Sequence, residues 1–104
     1  MATVNARKYF VEVSSISGDW LFSSDITGNP SFKAVKFFPG DIDDVLVIKE
    51  GSETGPTFTK LASSDGEGRI DRDISDASKP FIDYSDSTLS PGTLIVFVLK
   101  KPIR

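Results

Sequence analysis

Short apolar segments and turn-forming residues alternate along the whole chain, and this alternation constrains the fold more than any other feature of the sequence. Glycine, proline, serine and aspartate interrupt the apolar segments about every eight to twelve residues, a spacing typical of β-sandwiches and barrels. With 104 residues the chain can build one modest hydrophobic core but not two. We therefore predict an all-β fold over residues 1–104: a single antiparallel β-sandwich of jelly-roll type, with about seven or eight short strands and little helix.

Several strands can be assigned from local patterns. Two β-rich runs, Val45–Lys49 and Thr57–Leu61, flank a loop with two glycines and predict a hairpin. Phe32–Phe38 predicts a strand that ends at a Pro-Gly turn, whereas the aspartates of Ile70–Ile74 predict an edge strand or a loop. Shorter strands are predicted at Lys8–Val13 and Phe81–Tyr84, and Trp20–Phe22 is predicted to be either a short strand or an anchoring patch. Residues 1–7 are predicted to be a flexible arm and residues 100–104 a basic C-terminal tip.

The last apolar segment is the most hydrophobic part of the chain. Thr93–Lys100 has apolar residues on both faces of a strand, which predicts a central strand covered on both faces. Its inner part, Leu94–Leu99, has no charge and no proline, so it would promote aggregation if it were left uncovered. Either a second sheet or a partner subunit must therefore bury it.

The composition excludes several classes of function. The chain has no cysteine and no histidine, so it lacks disulfides, thiolate zinc sites and the commonest general base. No apolar run is long enough to cross a membrane, and residues 1–13 lack the apolar core of a secretory signal. Residues 41–86 hold 12 acidic and 5 basic side chains, which argues against binding to nucleic acid. We predict a protein that is not an enzyme and needs no cofactor.

Two acidic clusters are the candidate metal sites, because hard cations bind closely spaced carboxylates. The first cluster precedes the predicted hairpin, and the second lies in the segment DGEGRIDRD together with two arginines. Neither cluster has the spacing of an EF-hand loop, so we interpret the first as a solvated turn and the second as a charged loop and edge strand. We predict no metal site; the weak candidates are Asp41, Asp43, Asp44, Asp65 and Glu67, followed by Asp71 and Asp73.

Three aromatic residues are candidates for an interface or for stacking on sugar rings. Tyr9, Trp20 and Tyr84 have the flat side chains that carbohydrate-binding β-sandwiches use, although aromatic residues also fill cores and subunit interfaces. The sequence leaves open which of the three are exposed.

Several turn and strand motifs, spread over residues 32–99, resemble a recurrent type of small virion protein in tailed bacteriophages. These motifs are Phe37-Phe38-Pro39, Asp44-Val45-Leu46-Val47-Ile48, Glu50-Gly51-Ser52, Gly55-Pro56, Pro80-Phe81-Ile82-Asp83 and Leu89-Ser90-x-Gly92. Proteins of this type are single β-sandwiches, often jelly rolls, that decorate or cement the capsid or form a head fibre, commonly as trimers. No catalytic or ligand-binding residues come with the resemblance.

The resemblance implies a non-enzymatic virion structural protein that is made in the host cytoplasm and assembles as a homotrimer on a capsid or another virion protein. The absence of a signal sequence and of histidine and cysteine is compatible with that role. The alternative from a different class is a small carbohydrate-binding module that mediates attachment.

Overall fold

A computed structural model describes residues 3–22, 31–41, 43–62, 70–74 and 79–101. All nine elements assigned in these residues are β-strands. The strands are β1 (Thr3–Ala6), β2 (Phe10–Ser14), β3 (Trp20–Leu21), β4 (Phe32–Phe38), β5 (Val45–Glu50), β6 (Thr57–Ala62), β7 (Ile70–Asp73), β8 (Pro80–Ile82) and β9 (Leu94–Leu99).

The strands form two antiparallel sheets, one with the order β1-β2-β9-β4-β7 and the other with the order β3-β8-β5-β6. Four pairs, β2 with β9, β3 with β8, β4 with β7 and β5 with β6, are those of one long hairpin. Rolling that hairpin up brings β4 beside β9 and β5 beside β8. This strand order is that of a jelly roll, with β1 added at one edge. The predicted all-β sandwich is therefore confirmed.

The core lies between the two sheets and contains an aromatic cluster. Phe97 on the central strand β9 lies 5.7 Å from Trp20 and 5.3 Å from Phe22, measured between ring centroids. Phe22 in turn meets Phe32 edge to face at 4.8 Å. The remaining core contains Phe37 and many aliphatic side chains, among them Val11, Val13, Val35, Leu46, Ile48, Leu61, Ile82 and Ile95. Burial of these apolar side chains is the main favourable contribution to folding.

The predicted hairpin is confirmed, since β5 and β6 pair with each other along their length. Gly51 directly follows β5 and has a φ of 81°, a left-handed conformation that costs an L side chain about 1–2 kcal/mol. The glycine is therefore needed where the chain leaves β5 for the turn. The predicted bounds of this hairpin differ from the observed ones by one residue at the end of each strand.

The prediction of a central last strand is correct, and within the described part of the chain a second sheet covers only one of its two faces. β9 lies between β2 and β4, and its inward side chains Ile95, Phe97 and Leu99 are buried. The outward side chains of the same strand are only half-buried. A jelly roll has two layers, so each sheet packs against the other on one face only.

The prediction of a flexible arm over residues 1–7 is wrong for Thr3–Ala6. These residues form β1, which pairs with β2 from Thr3 opposite Ser14 to Ala6 opposite Val11. Polar side chains at a sheet edge hide the apolar alternation by which a strand is recognised, while the backbone still pairs. The other edge of the same sheet is β7, as its aspartates predicted.

Candidate functional site

Asp44, the last residue of the first acidic cluster, is fully buried. Its Oδ2 accepts hydrogen bonds from the backbone amides of Gly40, Asp41 and Ser90 at 2.9, 3.2 and 3.1 Å. The Thr93 hydroxyl donates to the same oxygen at 2.9 Å, and the Ser90 hydroxyl donates to Oδ1 at 2.6 Å. The carboxylate thus ties the turn that precedes β5 to the turn that precedes β9.

This environment explains the ionisation of Asp44. Burial alone would raise the pKa of its carboxyl group, but the donors from Ser90, Thr93 and Gly40 outweigh burial and lower the pKa below its ordinary value. The interpretation of this aspartate as part of a solvated turn is therefore wrong, because its side chain is fully buried and two of its partners lie 46 and 49 residues further along the chain. Asp41 and Asp43 are exposed, as that interpretation requires.

The other candidate metal ligands do not form a site in the described part of the chain. Asp65 and Glu67 lie outside the described residues, and Asp71 and Asp73 are on the edge strand β7. Within residues 3–22, 31–41, 43–62, 70–74 and 79–101, no group of three or more potential ligands is placed to hold a metal ion.

A second buried carboxylate, Asp83, was not singled out by the sequence. Its Oδ2 lies 2.6 Å from the Lys49 ammonium, and its Oδ1 accepts hydrogen bonds from the Ser85 hydroxyl and the Asp86 amide. Lys49 also donates to Asp86 at 2.9 Å and to the Glu53 carbonyl at 3.0 Å, which uses all three of its protons. The hydrogen bond from Lys49 is the main reason why the pKa of Asp83 falls to about 2.

The two carboxylates together hold the long connection between β8 and β9. Asp83 anchors its first residues to β5 through Lys49, and Asp44 anchors its last residues. Between them, Val45 and Thr88 exchange backbone hydrogen bonds at 2.9 and 2.7 Å. Asp83 and Asp44 are ionised at neutral pH with their oxygens already occupied, whereas a general acid or base works best with a pKa near the working pH. Their arrangement is suited to holding a loop.

The three aromatic candidates lie in different environments. Trp20 is 6% exposed and packs in the core, so its ring offers no surface for stacking. Tyr9 is 47% exposed, just before β2, with the Lys8 ammonium 5.7 Å from its ring centroid. Tyr84 is half-buried and lines a groove of about 360 Å³ beside the β8–β9 connection, with Ile16, Leu89 and Ser90 among the other lining residues.

The outward face of the five-stranded sheet carries an apolar patch. Its centre is the outward row of β9, and it includes the outward residues Phe10 on β2 and Phe38 on β4. Phe10 is 38% exposed, and the other members are half-buried. We call this surface the outer patch; its members are Phe10, Ala34, Phe38, Leu94, Val96 and Val98.

None of the nine described strands forms a third layer over the outer patch, because all nine belong to the two sheets. The apolar character of both faces of Leu94–Leu99 was the sequence signal for this surface. The second sheet buries one face of that segment, and no described strand covers the other face.

No family model, curated protein sequence or solved structure matches this chain. In the described ranges, no helix is both long and apolar enough to cross a membrane.

Proposed function

We propose that this protein is a non-enzymatic structural component of a bacteriophage virion, a capsid decoration or head-fibre protein that acts by packing its β-sandwich against other protein subunits. The sequence motifs over residues 32–99 and the jelly-roll strand order support the proposal, since jelly rolls are common in viral capsid proteins. A fold alone does not determine a function, so the surface that the fold presents has to fit the role as well.

The observation that carries the proposal is the outer patch. A soluble protein that works alone gains nothing from an apolar row along the middle of a sheet, whereas a protein that packs against neighbours buries that row. The two buried carboxylates also support the proposal, because they strengthen the connection between the sheets. A rigid sandwich with an apolar face is suited to a structural role.

The direct test is to look for the chain in purified particles. Virions of the phage that encodes it would be banded by density, and their proteins would be quantified by mass spectrometry. The proposal expects the chain in a fixed ratio to the major capsid protein, and labelling with a specific antibody should mark the head. If the chain stays in the soluble fraction of the lysate and is missing from the banded particles, the proposal is wrong.

The groove beside the β8–β9 connection favours a second candidate, carbohydrate binding. Tyr84 gives the groove an aromatic wall, and Ser15 and Ser90 supply hydroxyl groups. Its volume of about 360 Å³ falls within the range of small-ligand pockets. Ser15 also has a φ of 53°, and strain of this kind is concentrated at binding and catalytic sites.

A glycan array, read with wild-type protein and a Tyr84→Ala variant, tests this second candidate. If the groove binds sugar, wild type should give a glycan signal that Tyr84→Ala loses and that a Tyr9→Ala variant keeps. Trp20 fluorescence is a poor reporter for this experiment because its ring lies in the core. An array without any signal, or a signal that Tyr84→Ala leaves intact, would rule out the groove.

A further inference from the structure

The pairing of the strands places the outward side chains of the five-stranded sheet in rows that run across it. The middle row contains Glu12 on β2, Val96 on β9 and Lys36 on β4. The next row contains Phe10, Val98 and Ala34, and the row on the other side contains Ser14, Leu94 and Phe38. The outer patch therefore runs along β9, and each row carries unlike residues on the two sides of that strand.

The two sides of β9 differ in charge as well as in size. On the β2 side, Nε of Arg7 lies 3.9 Å from Oε1 of Glu12. On the β4 side, Lys36 lies 3.9 Å from Asp71 on the neighbouring edge strand, and Asp73 pairs with Ala34. Outward from β9, the middle row continues with Glu12 and then Asn5 on the β2 side. On the β4 side it continues with Lys36 and then Asp71.

We propose that the outer patch binds the same patch of a second copy of this chain, around a two-fold axis that runs parallel to β9. Such an axis lays the β2 side of one copy over the β4 side of its partner. Glu12 then faces Lys36 of the other copy, and the reverse contact repeats on the opposite side of the axis. The proposal rests on the structural role proposed above and names the partner of this surface.

The same rotation also places complementary residues opposite one another within the patch and at the edges of the sheet. Phe10, the largest exposed member of the patch, faces the small Ala34, and Phe38 faces Ser14. At the edges, the extension of the β1–β2 register puts Arg7 opposite Asp73. Val96 and its neighbours on β9 meet their own copies on the axis. Large side chains oppose small ones, and bases oppose acids.

The other simple two-fold arrangement is disfavoured by charge. An axis across the strands through the middle row would place Glu12 over Glu12 and Lys36 over Lys36 of the second copy. Like charges placed opposite one another oppose association, and they do so at both positions. The charge pattern thus selects the axis along β9, for which strands of the two packed sheets run in similar directions, as in aligned sheet packing.

The area of this contact predicts a weak or moderate association. Five strands about 4.8 Å apart, with about five residues each, give roughly 400 Å² of sheet face per copy. The two copies together would bury roughly 800 Å² of flat sheet, and the uneven surface of the side chains adds to it, so the pair lies near or below the lower limit of specific interfaces, about 1,200 Å² in total. We therefore expect a dimer that dissociates on dilution and weakens as salt is added.

Sedimentation equilibrium of the full chain tests the proposal, using wild type, three charge variants of the patch and one control variant. The copies of 11.3 kDa should associate into pairs. Glu12→Lys and Lys36→Glu should each raise the dimer dissociation constant about tenfold or more, because each substitution creates two like-charge contacts per dimer. The double variant Glu12→Lys/Lys36→Glu should restore association to within about threefold of wild type.

The restoration is the decisive result, because Glu12 and Lys36 of one copy are two strands apart and do not contact each other within the chain. Lys60→Glu, the same charge reversal at an exposed position of β6 in the other sheet, is the matched control and should leave the mass unchanged. Far-ultraviolet circular dichroism checks that each variant folds.

Each outcome decides the proposal. A chain that stays monomeric up to about 1 mM refutes it, and so does a trimer, since three copies cannot satisfy a two-fold contact. An association that Glu12→Lys and Lys36→Glu leave unchanged also refutes it, as does one that the double variant fails to restore. A dimer that is sensitive to the charge reversals supports it, as does a hexamer in which two trimers pair through this face. A dimer of this kind that is missing from virions would refute the proposed function alone.

Discussion

Removing the Asp44 carboxylate should destabilise this protein more than removing any neighbouring acid. In the Asp44→Ala variant, five hydrogen bonds lose their acceptor: three from backbone amides and two from hydroxyl groups. The expected loss is smaller than the sum of five separate bonds, because some of these donors can find another acceptor.

The magnitude follows from which donors remain without an acceptor. The Thr93 hydroxyl already lies 2.8 Å from the Ser90 carbonyl oxygen and can turn to it. The exposed Asp41 amide and the rotatable hydroxyl of the half-buried Ser90 can bind water. The Ser90 amide is left without its partner, and the Gly40 amide keeps only a 3.1 Å contact to Thr93. Two lost bonds to a charged acceptor cost about 3 kcal/mol.

The assay is urea unfolding followed by Trp20 fluorescence, together with thermal unfolding. A loss of about 3 kcal/mol is a large share of the roughly 5–15 kcal/mol typical of a domain of this size. It corresponds to a fall in Tm of roughly 12–24 °C. Asp44→Asn keeps the shape of the side chain and one oxygen, so its free energy of unfolding should lie between those of wild type and Asp44→Ala. Asp43→Ala is the matched control and should change the free energy of unfolding by less than about 0.5 kcal/mol, because Asp43 is exposed.

Hydrogen exchange separates the local effect from the global one. The Ser90 amide donates to Asp44 and should exchange faster in Asp44→Ala than the loss of global stability alone would cause. If Asp44→Ala cost less than about 1 kcal/mol, or no more than Asp43→Ala, the reasoning that this carboxylate anchors the β8–β9 connection would be refuted.

Three further predictions concern the rest of the fold. The pKa of Asp83 is about 2 in the folded protein against 3.8 for the free group, so ionised Asp83 contributes about 2 kcal/mol to the free energy of unfolding. This contribution is complete above pH 3.8 and is lost as the pH falls towards 2. The difference in urea midpoint between wild type and Asp83→Asn should therefore shrink over that range. Gly51→Ala should cost about 1–2 kcal/mol in thermal unfolding because its φ is 81°, whereas Gly18→Ala, with nothing within 4 Å of the added carbon, should be close to neutral. Phe97→Ala should cost about 3–5 kcal/mol and shift Trp20 emission to longer wavelength, since it removes the central ring of the aromatic cluster; unchanged emission would contradict that packing.

Elements with strong local signals could be predicted closely from the sequence. The strand Phe32–Phe38 and the hairpin of Val45–Lys49 with Thr57–Leu61 agree with β4, β5 and β6 to within one residue, because apolar alternation and turn residues are local properties. The short strand predicted at Phe81–Tyr84 starts and ends earlier, at Pro80–Ile82. Pro80 begins this strand opposite Glu50, since the first residue of a strand can lack a backbone amide.

The candidate sites were predicted less well, since they depend on distant partners. Asp41, Asp43 and Asp44 are indistinguishable in the sequence, yet only Asp44 is buried, because the turn before β9 supplies its donors. Lys49 and Asp83 are 34 positions apart and meet only because β5 pairs with β8. No local pattern could have found either contact.

By itself, the sequence determined that this chain is an all-β protein with its most apolar strand near the end, because turn residues and apolar alternation act over a few positions. Only the tertiary structure decided which face of β9 the core would cover, and which charges would lie on either side of the uncovered face. That decision depends on the register of β2, β9 and β4, three strands from distant parts of the chain. A shift of one residue in that register would turn Val96 inward and Ile95 and Phe97 outward, and the outer patch would consist of other residues.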